Sequence, residues 1–240
     1  MSFPAQQRIS YKYFDLVMAF FAVILVASNV ASSAKIIDLG FSLFGIRLAF
    51  DGGTLLFPLA YVLGDVFTEV YGFKAARRVI WTGFALLAFT VLVFFVLRLL
   101  PGEHTWEAAA GSSAYDAILG GMSSGGIVLA SLAGYLVGEF LNAILHSRIK
   151  VLMKGRLLWV RAIGSSIVGE LLDSVVFVSI ACAAGVFPWQ LFQSLVLTNY
   201  LLKLLIEVLA LPANYVVVRR LKKSEGIDIY DEGIQYRLWG

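Results

Sequence analysis

The sequence predicts an all-α fold: a polytopic membrane protein with six transmembrane helices and both termini in the cytoplasm. Hydrophobic residues make up 60% of the chain and charged residues only 15%, with a mean hydropathy of +0.84, far from the balance of a soluble domain. The apolar segments are too long and too continuous for barrel strands, which alternate over about ten residues. The basic residues are concentrated in the N-terminal segment, in alternate loops and in the C-terminal tail.

Six segments are long and apolar enough to cross a bilayer, which takes about twenty residues each. The predicted spans are 14–34, 54–71, 79–99, 118–145, 158–186 and 191–218. So much of the chain lies in these spans that little remains for a soluble domain. We therefore expect one membrane domain, 1–223, and a cytoplasmic C-terminal tail, 224–240.

The placement of Lys and Arg gives the orientation. Of the 19 basic residues, 15 fall on the side of the N-terminus, three fall on the opposite side, and Lys203 lies within a span. Cytoplasmic loops carry the excess of basic residues, so both termini are predicted to lie inside. This placement also accounts for the net charge of +3 without a nucleic-acid partner.

Several loops and helix ends have their own expectations. The outer loop 35–53 is rich in Gly and apolar residues and is expected to dip into the membrane interface. Asp51 or Thr54 is placed to cap the second span, and Pro58 is expected to kink it. His146 is expected to be solvated at the cytoplasmic end of the fourth span.

Small residues recur at four-residue intervals in the fourth span, as Gly121/Gly125 and Gly134/Gly138. Such spacing lets helices approach closely and allows a homodimer. Cys182 is the only cysteine in the sequence, so it can form no intrachain disulfide and is expected to pack as a small hydrophobe.

The most informative feature is the set of ionisable residues inside the spans. Asp65 and Glu69 are four residues apart and face the same way on a helix. The fourth, fifth and sixth predicted spans carry similar groups, which are Glu139/Asn142, Glu170/Asp173 and Asn199/Lys203/Glu207. Six acids against one lysine are a costly way to hold helices together, although a structural network would account for any one of them.

A ligand rich in hydrogen-bond donors would resolve this excess of acids. A guanine-like edge offers an N–H and an adjacent amino group to one carboxylate, and aromatic side chains could stack on its flat face. Amines or small vitamins would also fit. Asn29 needs amide partners at depth and is a further candidate. The predicted substrate site comprises Asn29, Tyr61, Asp65, Glu69, Glu139, Asn142, Glu170, Asp173, Phe177, Asn199 and Lys203.

Enzyme and channel functions are disfavoured. There is no phosphate-binding loop and no His-Glu-x-x-His zinc motif, and the sequence indicates neither a metal site nor a cofactor. An intramembrane serine protease would need a histidine near Ser165 or Ser166, which only His146 could supply. A channel would need a ring of charges around an open pore, which clustered acids do not suggest.

The stretch 51–78 strongly resembles the queuosine precursor transporters, a YhhQ-type family grouped with the vitamin uptake transporters. The resemblance rests on Asp-Gly-Gly-Thr at 51–54, Phe-Pro-Leu-Ala-Tyr at 57–61 and Gly-Asp-Val-Phe-Thr-Glu-Val-Tyr-Gly at 64–72. Supporting similarity extends over nearly the whole chain, from 29–35 to the tail 225–231. The outer loop 100–117 matches nothing familiar in that family.

The resemblance implies a bacterial inner-membrane importer of 7-deazaguanine bases, such as preQ0 and preQ1, which are salvaged into queuosine in transfer RNA. The implied partners are this small-molecule substrate and the lipid bilayer. An alternative function from another class remains open: a substrate-binding membrane subunit of a vitamin or nucleobase uptake system that needs separate energising proteins.

Overall fold

The computed structural model describes residues 11–43, 45–123 and 126–239. Eight α-helices occur in these residues: α1 (Phe14–Ala34), α2 (Phe57–Val66), α3 (Phe73–Leu99), α4 (His104–Ala109), α5 (Gly111–Ser123), α6 (Gly126–Leu152), α7 (Leu158–Ala183) and α8 (Phe192–Glu225). Two strands, β1 (Ile36–Leu43) and β2 (Ile46–Asp51), follow α1. Short helical turns are Gly52–Leu55, Phe67–Tyr71 and Trp189–Leu191.

Five helices in the described residues are long and apolar enough to cross a membrane: Phe14–Ala34, Phe73–Leu99, Leu129–Leu152, Leu158–Ala183 and Trp189–Glu225. They correspond to the first, third, fourth, fifth and sixth predicted spans. A polytopic helical membrane protein is therefore confirmed. The last of these helices, α8, contains Pro212 and continues to Glu225, beyond the predicted end of its span at 218.

The second predicted span, 54–71, takes another form. A 3₁₀ turn leads into α2, and a π-helical turn at Phe67–Tyr71 continues it until Gly72 ends it with a φ of 80°. The expected kink at Pro58 is wrong, because this proline lies in the first turn of α2, where its missing N–H costs nothing. Every residue from Asp65 to Tyr71 is buried, so this segment lies inside the bundle.

The outer loop 35–53 is an antiparallel hairpin, so the prediction of an all-α fold is wrong here. Its pairing runs from Ile36 opposite Asp51 to Leu43 opposite Ile46. An exposed ion pair joins Asp38 and Arg47, and the hydrogen bond from Arg47 lowers the pKa of Asp38. Helix α8 also stabilises the hairpin, because its Ser194 hydroxyl donates to the backbone carbonyl of Arg47.

The bundle has two ends. At the terminal end, where the chain enters α1 and leaves α8, the backbone N–H groups of Lys12 and Tyr13 donate to the Glu225 carboxylate at 2.8 and 2.7 Å. At the opposite, hairpin end, Asp51 caps the turn that leads into α2 by accepting from the N–H of Gly53, as the sequence predicts. Helix α1 connects the two ends.

Two apolar clusters hold the bundle together. The larger cluster packs Phe14, Phe21 and Phe67 between α1, α3 and α6, with the rings of Phe14 and Phe67 5.3 Å apart and edge to face. The smaller cluster lies where α7 ends and α8 begins, and it contains Phe177 and Cys182. Cys182 is buried there, as predicted for a small hydrophobe.

The predicted tail is folded against the terminal end. Asp231 accepts a hydrogen bond from the N–H of Phe73 at 2.8 Å and another from Ser147 at 2.6 Å. Farther along, the rings of Trp81 and Trp239 lie 4.1 Å apart. The tail thus covers the start of α3 and the end of α6.

Candidate functional site

All eleven predicted site residues are buried. Their exposed fractions range from 0% for Glu69 and Glu170 to 7% for Asp173. Charged side chains are costly when they face lipid, so the sequence pattern predicts that they face the interior of the bundle. Their burial agrees with that prediction. The structure distributes the residues over four neighbouring regions between the hairpin end and the terminal end.

The first region is a closed cavity between α1, α2, α6, α7 and α8. Five predicted residues line it: Tyr61, Glu139, Asp173, Phe177 and Lys203. Leu25, Asp51, Phe57, Ala60, Ser131 and Tyr135 complete the lining. The space is about 10 Å³, which is room for about one water molecule.

Glycines let the helices around the cavity come close enough to seat its acids. A Cβ atom at Gly64 would lie 2.8 Å from Glu139 Oε2, and one at Gly134 would lie 2.7 Å from Asp173 Oδ1. A Cβ at Gly138 would lie 3.1 Å from the carbonyl oxygen of Gly169. Gly134 and Gly138 therefore pack against α7 within the chain, while Gly125 lies outside the described residues.

The cavity contains one ion pair and several polar atoms without partners. Lys203 Nζ lies 2.5 Å from Asp173 Oδ2 and 5.1 Å from the centre of the Phe57 ring. Among the described residues, neither Glu139 Oε1 nor the Tyr61 hydroxyl has a hydrogen-bond partner. Buried polar groups are normally paired, so these two atoms are available to a bound molecule.

The second region, toward the terminal end, is centred on Asp65. Its Oδ1 accepts from the Asn142 side-chain amide at 3.0 Å and lies 3.1 Å from His146 Nδ1. Ser166 on α7 approaches the Asn142 carbonyl oxygen at 3.4 Å and donates to Glu207 Oε1 at 2.7 Å. Glu170 follows Ser166 by one turn on the same side of α7.

The third region surrounds Glu69 at the terminal end, away from the cavity. Arg161 donates two hydrogen bonds to its carboxylate, at 2.7 and 2.8 Å, and His146 Nε2 lies 3.1 Å from Oε2. Lys222 also contacts this carboxylate. The sequence pattern groups Glu69 with Asp65 in the predicted substrate site, but in the structure the Glu69 carboxylate is paired with this cationic cluster instead.

His146 is the main residue that the sequence reading misjudged. It is fully buried rather than solvated, and its ring bridges Asp65 and Glu69. Lys150, one turn farther along α6, is also buried and donates to the backbone carbonyl of Glu69 at 2.7 Å. The available signal was the spacing of 139, 142, 146 and 150, which places these four residues along one face of a helix.

The fourth region closes the hairpin end. Asn199 donates to Asp51 Oδ2 at 2.9 Å, and the Thr54 hydroxyl donates to Asn199 Oδ1 at 3.0 Å. Ser32 donates to the same aspartate, so α1, the hairpin and α8 meet there. Asn29 donates to the carbonyl oxygen of Leu25 in its own helix at 2.8 Å, while its Oδ1 has no partner among the described residues.

No group of three or more metal-ligating side chains that could hold a metal ion occurs in the described parts of the chain. The chemistry of the site is instead that of hydrogen bonds, buried charges and aromatic faces. A closed polar cavity inside a bundle of membrane-crossing helices, beside an irregular helical segment, is typical of a membrane transporter.

Comparison with known proteins identifies the family. Residues 51–217 match the family described as "Putative vitamin uptake transporter", and the chain belongs to this family. It is 27% identical over 185 residues to a "Probable queuosine precursor transporter" of Bacillus subtilis, covering 76% of this chain and 77% of that protein.

Two further relatives agree. A "Probable queuosine precursor transporter" of Haemophilus influenzae is 29% identical over 168 residues, covering 69% of this chain and 67% of the relative. The "Queuosine precursor transporter" of Escherichia coli is 23% identical over 197 residues, covering 81% and 83%. No solved structure matches the chain. The chain is thus a multi-pass membrane transporter, and the prediction that it is not an enzyme is confirmed.

Proposed function

We propose that this protein imports queuosine precursors, 7-deazaguanine bases such as preQ0 and preQ1, across the bacterial inner membrane for salvage into transfer RNA. The names of its three relatives support this substrate class. The observation that carries the proposal is the unpaired Glu139 carboxylate oxygen in the cavity, next to the Tyr61 hydroxyl and the rings of Phe57 and Phe177.

The recognition chemistry follows from these groups. A carboxylate accepts two parallel hydrogen bonds, so Glu139 would take the ring N–H and amino group of the guanine-like edge. Lys203 would donate to the ring carbonyl, and Phe57 or Phe177 would stack on the flat face. Asp173, released from Lys203, would pair with an aminomethyl cation such as that of preQ1.

The remaining predicted residues would shape and close this site. Asp65, Asn142 and Glu170 lie behind the cavity, toward the terminal end, while Asn199 and Asn29 lie toward the hairpin end. The space of about 10 Å³ is far too small for a fused-ring base. Binding therefore requires the helices to separate, and the Asp51 network and the Glu69 cluster are the two closures that would open in turn.

The contact between Tyr13 and Glu225 supports six crossings with both termini in the cytoplasm. Chain ends that lie on one side of a membrane require an even number of crossings, and five long helices give an odd number. The segment Gly52–Tyr71 would be the sixth crossing: it runs from the hairpin end to the terminal end inside the bundle.

Uptake of labelled preQ1 into cells that cannot make queuosine precursors tests the function. The parent should restore queuosine in transfer RNA. Glu139→Gln should lower apparent affinity roughly tenfold or more, because hydrogen bonds to a charged group contribute about 1.5–3 kcal/mol. Glu232→Gln, on the exposed tail, is the matched control. Parent cells that accumulate no base would overturn the proposal.

Purified protein in liposomes separates an autonomous transporter from a binding subunit. We expect the chain alone to exchange external labelled preQ1 for internal unlabelled preQ1. Binding of preQ1 without exchange would instead indicate a subunit that needs energising proteins.

A further inference from the structure

A pair of buried carboxyl groups lies outside the proposed substrate cavity. Glu170 on α7 and Glu207 on α8 are 0% and 1% exposed, and neither lines the cavity. Ser166 donates to Glu207 Oε1 at 2.7 Å. Among the described residues, no donor reaches Glu207 Oε2 or either oxygen of Glu170.

The described residues around this pair supply no free cation. Glu207 faces Asp65, Glu139 and His146. Glu170 faces Asp65, Asp173, Lys203 and the hydroxyl of Tyr200, and Tyr61 faces both glutamates. The two basic groups are already engaged, since Lys203 pairs with Asp173 and His146 bridges Asp65 and Glu69.

The lack of donors indicates which ligand the two glutamates hold. Glu170 lies one turn along α7 from Ser166, which donates to Glu207, so both carboxyl groups lie where α7 meets α8. An ionised carboxylate buried without donors is costly, whereas a proton removes the charge. A metal ion would need several oxygen ligands, and no group of three or more metal-ligating side chains occurs among the described residues.

We propose that Glu207, supported by Glu170, binds the proton that is co-transported with the base. The inference deepens the proposed function and depends on it. While the cavity faces outward, Glu207 takes up one proton and its O–H bond forms. When the cavity faces inward, that bond breaks and the proton leaves toward the cytoplasm, so one proton enters with each base.

The position of Glu207 suits this coupling. Through Ser166 and Asn142 it is connected to Asp65, and through Asp65 to the His146–Glu69 contact that closes the terminal end. A change of charge on Glu207 therefore acts on the same side chains that must separate to release the base inward.

The test compares two modes of transport in the same proteoliposomes. Exchange of labelled external for unlabelled internal preQ1 needs no net proton movement, whereas accumulation against a gradient does. In the parent, an inside-alkaline pH gradient should drive accumulation several-fold above equilibrium. Glu207→Gln should retain exchange within about twofold of the parent but lose pH-driven accumulation. Glu207→Asp, which keeps a carboxyl group, should retain part of it.

The outcomes separate the two proposals. Absence of exchange in the parent overturns the proposed function itself. Exchange in the parent without a response to the pH gradient, or with accumulation driven by a sodium gradient, overturns proton coupling alone. Retained pH-driven accumulation in Glu207→Gln assigns the proton elsewhere and overturns the role of Glu207. Should Glu207→Gln lose exchange as well, Glu207→Asp decides the question: accumulation that increases with the pH gradient supports the proposal, and accumulation that does not respond to the gradient overturns it.

Discussion

At the residue scale, Lys203 shows how one of the buried cations is stabilised by an ion pair. Its ammonium group contacts Asp173, and the side chains are 4% and 10% exposed. Taking both charges out of water is costly, and their mutual attraction offsets that cost only while both are present. Breaking such a pair from one side leaves an unpaired buried charge. Replacing both members removes the problem.

We therefore expect Lys203→Met and Asp173→Asn to lower the free energy of unfolding by on the order of 3–5 kcal/mol each. The double variant should lose less than the sum of the two. Thermal unfolding of the purified protein in detergent, with all four forms compared, measures this coupling. The matched control is the exposed Asp38–Arg47 pair of the hairpin, where Asp38→Asn and Arg47→Met should leave the midpoint of thermal unfolding unchanged. Additive losses at Lys203 and Asp173 would contradict the expectation.

Helices α6 and α7 are positioned at the element scale by glycines at their crossing. A Cβ at Gly138 would lie 2.7 Å from Asp173 Cβ, and a Cβ at Gly169 would lie 3.0 Å from the carbonyl oxygen of Gly138. The helices can approach so closely only because both positions lack side chains. This approach brings Asp173 and Glu139 to the cavity.

Gly138→Ala should destabilise the protein by about 1–3 kcal/mol, because the added methyl group forces the two helices apart. Uptake should fall with it, since Tyr61 and Asp173 would move. Gly164→Ala on α7 is the control: its nearest neighbour would lie 3.7 Å away, so the substitution should be neutral or slightly stabilising. Unfolding midpoints and uptake rates of both variants check this. Equal behaviour of the two alanines would contradict the packing argument.

At the scale of the whole molecule, the bundle is closed at both ends by different chemistry. The hairpin end is joined by hydrogen bonds to Asp51 from α1 and α8. The terminal end is joined by ion pairs to Glu69, and the tail adds Asp228, which contacts both Lys150 and Lys222. Transport across a membrane requires these ends to face opposite sides of the bilayer.

Single cysteines test that orientation. In a Cys182→Ala background, Ser42→Cys on the hairpin should react with a membrane-impermeant maleimide in intact cells, because the hairpin is expected outside. Glu232→Cys on the tail should react only after the cells are opened. Both positions are exposed, so access to the reagent depends on the side of the membrane. Labelling of both cysteines in intact cells, or of Glu232→Cys alone, would contradict the proposed topology.

The sequence by itself determined the class of fold, the five long helices and the inward direction of the eleven site residues, because hydropathy and helical spacing are local properties. Tertiary structure alone decided which acids receive a cation. Glu69 and Asp65 look equivalent in the sequence, yet Glu69 meets Arg161 and Lys222, which are 92 and 153 residues away. The burial of His146 and the hairpin at Ile36–Asp51 likewise depend on partners distant in the chain, because the energy of a buried charge is set by what packs against it.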